Sequence, residues 1–287
     1  MDNLTTVILQ HEVQIRLSVF VGILLTMIIW EFMAPRLTLT LPRSQRWPAN
    51  LGIVVLNTVL VRLIFPMAPV GIAVLAASNG WGLFNVIDAP QVVAVITCVL
   101  ILDFAIYAQH VTFHKVPVLW RLHRMHHADT GYDVTTGARF HPIEIILSMA
   151  IKLATVSVLG ASPAAVIIFE VLLNATAMFN HGNLRLPLAI DQAIRVLIVT
   201  PDMHRVHHSV IPAETNSNFG FNLSIWDRLF GTYCAQPSMG HDDMTLGIED
   251  FRTAADMRLD KMLMQPFVGT AGSYAINREK KDVPGSD

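Results

Sequence analysis

Six of the twelve histidines in this 287-residue chain fall between Asp103 and Glu144, about a seventh of its length. His110 and His114 stand four apart, and His123, His126 and His127 form an H-x-x-H-H pattern. On helices each group throws its imidazoles from one face. A second H-x-x-H-H, at His204, His207 and His208, follows about 80 residues downstream, with His181 between the two. Imidazoles crowded at these spacings repel one another when protonated, and when neutral and buried they need partners for their ring nitrogens. A metal ion meets both needs. Nine or ten imidazoles exceed the four ligands of one tetrahedral site and suffice for two metals with four to five nitrogen ligands each. The chain has no H-E-x-x-H of a zinc protease and no pair of E-x-x-H helices of a carboxylate-bridged bundle, so the ligation is nitrogen-rich. His11 and His241 stand alone and read as ordinary histidines.

Ligating imidazoles commonly donate their second N–H to a carboxylate or carbonyl. Asp103, Asp129, Asp133, Glu144, Asp202 and Asp227 lie near the clusters in sequence and are candidates for that work. Arg121, Arg139, Arg205 and Arg228 sit beside the same motifs, where they can pair with these acids or with lipid phosphate. His141, in R-F-H-P-I-E, stands either as a further ligand or as a supporting residue beside Glu144.

The rest of the chain is a scaffold for membrane. Apolar residues make up 53% and charged residues 15%, and the mean hydropathy is +0.48, beyond what soluble domains show. A net charge of -2 gives no electrostatic reason to expect nucleic acid. The two cysteines, Cys98 and Cys234, are too far apart in character and sequence to imply a disulfide framework or a thiolate site. The acidic start of the chain lacks the basic region of a signal peptide. The expected class is all-α, a polytopic membrane protein with four to five transmembrane helices and a cytoplasmic helical cap holding the histidines.

The first span runs from Leu17 to Met33, and the loop after it carries Arg36, Arg43 and Arg46, a basic connector that the positive-inside rule puts in the cytoplasm. Leu51 to about Ala77 is one crossing, interrupted by Pro66 and Pro69, and Ser78 to Pro90 is a loop without Lys or Arg. Gln91 to about Ala108 returns the chain to the side where His110 begins. A hairpin at about 143–179 crosses twice and brings His181 to that same side. Leu188 to Val199 reads as an interfacial amphipathic helix. Three units result: residues 1–102 as N-terminal transmembrane helices, 103–235 as the histidine-motif domain, and 236–287 as a cytoplasmic tail ending in a mobile charged run.

The motifs taken together resemble the fatty acid hydroxylase and sterol desaturase superfamily of membrane oxygenases, including its bacterial sterol-desaturase-like members. The likeness covers roughly Asp103 to Tyr233. The D-x-x-x-Y-x-x-H-x-x-x-H element is met by Asp103, Tyr107, His110 and His114, and W-x-x-H-x-x-H-H by Trp120, His123, His126 and His127. Arg139, His141, Pro142 and Glu144 match a third segment, and Phe179, His181, Asn183 and Pro187 a fourth. The closing signature is met by Pro201 and His204 to His208, then Asn218, Gly220 and Trp226 to Thr232. Val111 stands where many relatives have Arg.

The resemblance implies two iron ions, replaceable by zinc on purification, with dioxygen as co-substrate and two electrons from an outside donor. The reaction implied is hydroxylation or desaturation of a lipid C–H bond. His110, His114, His123, His126, His127, His181, His204, His207 and His208 would be the ligands, with His141, Asp103, Glu144 and Asp227 as ligands or partners of ligands. The chain has no flavin, haem or nicotinamide fingerprint, so a ferredoxin or small haem protein with its reductase is the expected partner. A bacterial inner membrane is the expected location. A histidine-rich metal transporter and a zinc-dependent membrane hydrolase are the rival readings; the first would spread ligands and acids along its spans, the second would show an evident general base.

Overall fold

The computed structural model describes residues 11–277. The terminal run NREKKDVPGSD lies almost wholly outside the described residues. Among those described the fold is all-helical, with three isolated β-bridges and no strand. The principal helices are α1 (Glu12–Met33), α2 (Arg43–Ile64), α3 (Pro69–Asn79), α4 (Gln91–Lys115), α5 (Pro117–His127), α6 (Pro142–Leu159), α7 (Pro163–Asn180), α8 (Leu188–Ile194) and α9 (Pro201–His207). The sequence punctuates them clearly. Proline opens α3, α5, α6, α7 and α9, where its fixed φ suits the first turn and its missing N–H is no loss. Side chains of His141, Ser162 and Thr200 accept first-turn amides of α6, α7 and α9. Left-handed Gly80 and Gly160 close α3 and α6.

Among the described residues five stretches are long and apolar enough to cross a bilayer, making this a multi-pass membrane protein. Large apolar side chains line their outer faces, among them Leu25 and Ile29 of α1, Val59 and Leu63 of α2 and Val92 and Ile96 of α4. Such faces are costly in water and neutral against lipid. Inside, Val70 and Ala73 of α3, Cys98 and Leu102 of α4, Val156 of α6 and Ala165 and Phe169 of α7 form one cluster. The small residues let neighbouring backbones approach, as membrane helices require. Within this bundle Glu170 of α7 pairs with Lys152 of α6 at 3.1 Å and Arg16 of α1 at 3.0 Å, so the charges of three spans meet instead of facing lipid.

The second apolar stretch is broken at Phe65–Ala68 into α2 and α3, which together make one candidate crossing. The basic connector is shorter than expected. Helix α2 already starts at Arg43, because this end of it docks on the loop after α5 through Arg46, Asn50 and Asn57. At the opposite end the turn at Gly82 lies against Gly160, where a Cβ would come 2.1 Å from the Gly160 nitrogen. That contact joins the α3–α4 and α6–α7 connections at the end of the bundle away from the histidines.

Helix α4 outruns its expected end at Ala108 and continues to Lys115, so His110 and His114 ride on the last turns of a spanning helix. The segment after residue 236 also differs from the expected tail. Up to residue 277 it folds back over α5. Trp120 Nε1 donates to Ala271 O at 3.0 Å, Arg121 Nε to Pro266 O at 2.7 Å, and the Arg124 guanidinium to the carbonyls of Gln265, Val268 and Thr270. Its last residues return to α4, with the Ile276 amide on His114 O at 2.9 Å and the Asn277 amide on Lys115 O at 3.1 Å. Backbone carbonyls as acceptors leave no trace in sequence, which is why this strap is invisible there.

Candidate metal centre

The nine histidines of the motifs converge where α4, α5, α7 and α9 meet, all of them buried. They fall into two groups, each with ligand atoms within 4.8 Å of one another: His110, His114, His123, His127 and His207 in the first, His126, His181, His204 and His208 in the second. The adjacent pair His126–His127 is divided between the groups, and so is His207–His208, because successive helical residues point about 100° apart. His141 joins neither group. Its Nδ1 accepts the Ile143 amide at 3.2 Å and its Nε2 donates to Leu263 O at 3.3 Å, so it caps α6 and touches the C-terminal strap.

Partners around the rings decide which nitrogen faces inward. In the first group His110 Nδ1 donates to Phe219 O at 2.8 Å, His114 Nδ1 to Asn216 Oδ1 at 3.1 Å, His123 Nδ1 to Glu144 Oε1 at 2.6 Å and His207 Nδ1 to Ser217 O at 2.7 Å. With the proton held on Nδ1, each Nε2 carries a free lone pair. His110 Nε2 and His123 Nε2 then face each other at 3.1 Å, lone pair toward lone pair, and Nε2 of His114, His127 and His207 is buried with no hydrogen-bond partner. A cation between them satisfies all five. In the second group His181 Nδ1 donates to Ala177 O at 2.9 Å, and its Nε2 lies 3.2 Å from His126 Nε2 and 3.1 Å from His204 Nε2. Nδ1 of His126, His204 and His208 has no partner among the described residues.

Burial pushes the imidazoles of His123 and His181 down to about 3. Burial first, and the neighbouring rings after it, hold His126, His127, His204, His207 and His208 well below 6.5. Neutral imidazoles are the metal-binding form. The donor set is nitrogen throughout, which suits iron, zinc or copper and not the oxygen-seeking cations.

Three of the four acceptors of the first group lie in residues 216–219, a turn from which sequence reasoning named Asn218 but not the acceptors Asn216, Ser217 and Phe219. Asp227 builds it: its Oδ1 accepts the Phe219 amide at 2.7 Å, its Oδ2 the Gly220 amide at 2.8 Å, and Thr232 Oγ1 donates to Oδ1 at 2.7 Å. Asn218 takes φ +50 there and donates to Met203 O and Cys234 O. Gly220 is required, since a Cβ would meet Asp227 Oδ2 at 2.6 Å and Leu223 O at 2.8 Å. Burial pushes the Asp227 carboxyl up to about 6. Asp103 works one layer further out, accepting Trp226 Nε1 at 2.8 Å and the Leu223 amide at 3.3 Å. Asp103 and Asp227 are therefore partners of the frame and neither joins a ligand group.

A second frame holds the loop after α5. Arg46, fully buried, donates to Asp129 Oδ1 at 2.6 Å and Asp133 Oδ2 at 2.7 Å, and Asn50 reaches Thr135 at 3.0 Å. Burial alone would raise the Asp129 carboxyl, but the Arg46 guanidinium holds it down to about 2. Of the four arginines flagged beside the motifs, only Arg205 pairs with an acid, Asp202. Arg121 and Arg139 donate to backbone carbonyls, and Arg228 donates to Arg195 O and covers the Tyr233 ring.

Fold and site together define a multi-pass helical membrane protein whose spans carry a cap with two all-histidine groups able to hold metal ions. Residues 95–232, just under half of the chain, match the sequence model of the fatty acid hydroxylase family. Among curated proteins it is 30% identical to an ornithine lipid hydroxylase of Rhizobium tropici over 155 residues, 54% of this chain and 46% of that one. It is 27% identical to the alkylglycerol monooxygenase of Homo sapiens over 139 residues, 47% of this chain and 29% of that one. It is 26% identical to the cholesterol 25-hydroxylase of Mus musculus over 156 residues, 52% of this chain and 51% of that one. The chain thus spans about half or less of the length of these relatives. No solved structure matches it.

Proposed function

We propose that the chain is a membrane-bound, dioxygen-dependent oxidoreductase that hydroxylates a C–H bond of a lipid, with two iron ions held by its nine clustered histidines. The observation that carries this reading is the coincidence of two buried all-nitrogen groups with the ends of apolar, lipid-facing helices. When bound, iron supplies the activation of dioxygen and the oxidising power that an unactivated C–H bond requires. The chain's own residues orient and enclose. Glu144, Asn216 and the carbonyls of Ser217 and Phe219 fix the rings, while Trp120, Phe140 and Phe219 pack against them and keep bulk water out.

The relatives, an ornithine lipid hydroxylase, an alkylglycerol monooxygenase and a cholesterol 25-hydroxylase, favour a lipid substrate and hydroxylation over desaturation. Electrons come from an external ferredoxin or small haem protein with its reductase. The connector between the first two spans carries Arg36, and the first turn of α2 carries Arg43 and Arg46, whereas residues 78–90 hold no Lys or Arg. The positive-inside rule therefore supports a cytoplasmic cap, and the membrane we propose for it is the inner membrane of a bacterium.

Anaerobically purified protein should contain two irons per chain with a spectrum that changes on exposure to dioxygen. Membranes from cells carrying the protein should contain a hydroxylated lipid missing without it. One zinc and no redox response, persisting after iron reconstitution, would sink the proposal in favour of a hydrolase; metal uptake into cells with an unchanged lipid profile would favour a transporter.

A further inference from the structure

Between the end of the first candidate span at Met33 and the start of the second at Arg43, the chain walls a cavity of about 610 Å3. That lies within the roughly 300–1,000 Å3 usual for small-ligand sites. Its level is where headgroups sit, at the mouth of two spans. The lining is two-sided: Phe32, Leu37 and Leu39 give an apolar flank, and Arg36, Arg43 and Arg185 give a cationic one.

The three cations are not equally engaged. Arg36 is taken, with Asp242 as one partner and Asp202 Oδ2 at 3.5 Å as another. Arg43 reaches Glu31 Oε2 only at a long 3.5 Å, its Nε is buried without a partner, and its guanidinium is held over the Phe32 ring at 4.5 Å. The other oxygen of Glu31 is occupied by the amides of Val134 at 2.7 Å and Asn183 at 2.9 Å. Arg185 is exposed, lies in the field of Asp242, and makes no side-chain hydrogen bond or ion pair among the described residues. Glu31 is the one acid in the lining of this cavity, Asp202 and Asp242 engage its Arg36, and together they leave the donors of Arg43 and Arg185 with capacity to spare.

The wall is rigid where it meets the site. Asn183, two residues after His181, accepts the amides of Arg36 at 3.1 Å and Leu37 at 2.8 Å through Oδ1 and donates to Leu37 O at 2.8 Å. The Arg185 amide bonds Ala34 O at 3.0 Å. The cavity is thus built jointly by the α1–α2 connector and the stretch that carries His181.

We propose that this cavity is a headgroup site for a membrane lipid bearing an oxyanion, a phosphate or a carboxylate, with Arg43 and Arg185 as its donors and the apolar flank receiving the first carbons of the chains. The site rests on the membrane placement of the proposed function and not on its metal chemistry, so an iron-free preparation can show it and an active one can lack it.

The test is native mass spectrometry of the full chain in neutral detergent, titrated with phosphatidylglycerol or phosphatidylcholine of identical acyl chains. The wild type should retain phosphatidylglycerol preferentially. Arg43→Gln and Arg185→Gln should each lower that retention about fivefold, the usual worth of one cation near a lipid surface, while Arg43→Lys with Arg185→Lys keeps most of it. Arg258→Gln, at an exposed ion pair elsewhere, should leave it unchanged. Equal retention of the two lipids by the wild type, or a preference that survives the double glutamine variant, would overturn the proposal. Displacement of the lipid by millimolar inorganic phosphate would overturn it too, by making the site one for a free anion.

Discussion

His207 shows how little of a ligand's behaviour is decided by its own ring. Its Nδ1 is fixed by Ser217 O, and its Nε2 is left buried and bare. His207→Ala should therefore abolish turnover and lower the metal bound per chain, while the protein still inserts in the membrane; retained activity would remove it from the ligand set. Protons compete for the same lone pairs. Unfolded imidazoles take up protons below about 6.5, whereas burial keeps His123 and His181 neutral in the folded protein until about 3. Between those values the unfolded state binds more protons, so stability rises with pH across the window and is lost as pH falls through it. The thermal midpoint of metal-stripped protein should drop steadily from pH 7 to pH 4, and a flat profile would mean that the cluster is open to water. All nine clustered histidines were legible in the sequence, because type and spacing state the chemistry. Their orienting partners were legible only where a side chain does the work, as with Glu144; the carbonyls of Ser217 and Phe219 belong to every residue alike and carry no signal.

At the scale of elements, the site depends on segments that carry no ligand. The 216–219 turn, held by Asp227, presents three acceptors in one short run, and the loop after α5 is held from a different span by Arg46. Removing that guanidinium strands Asp129 and Asp133 as buried, unpaired carboxylates, at a cost of about 3–5 kcal/mol. Arg46→Met should lower the thermal midpoint accordingly and loosen metal bound through His126 and His127; an unchanged midpoint would show that the acids find other partners. Hydropathy and proline placement marked the spans well, since lipid-facing faces and first-turn prolines follow from length and backbone chemistry alone. They could not mark where α2 begins or that residues 236–277 close over α5, because those outcomes depend on Arg46 and Arg124 finding acceptors more than 80 residues away.

Across the whole molecule the two metal groups differ in how firmly they are framed. Four of five rings in the first have an Nδ1 partner, against one of four in the second. Outer partners of this kind are commonly worth tenfold to hundredfold in metal affinity. Stepwise chelation of the loaded protein should thus proceed in two phases, the metal at His126, His181, His204 and His208 leaving first, with variants at those four positions erasing the fast phase; a single phase would show the groups to be equivalent. The division of both adjacent histidine pairs between the groups bears also on how such a protein is made. His110 to His127 leave the ribosome some eighty residues ahead of His204 to His208, and neither group is complete without residues from both ends of that interval. Metal delivery is then a late event in biogenesis, after the last span has entered the bilayer, and a cell short of metal would accumulate an inserted apoprotein whose unclamped cap is exposed to quality-control proteases.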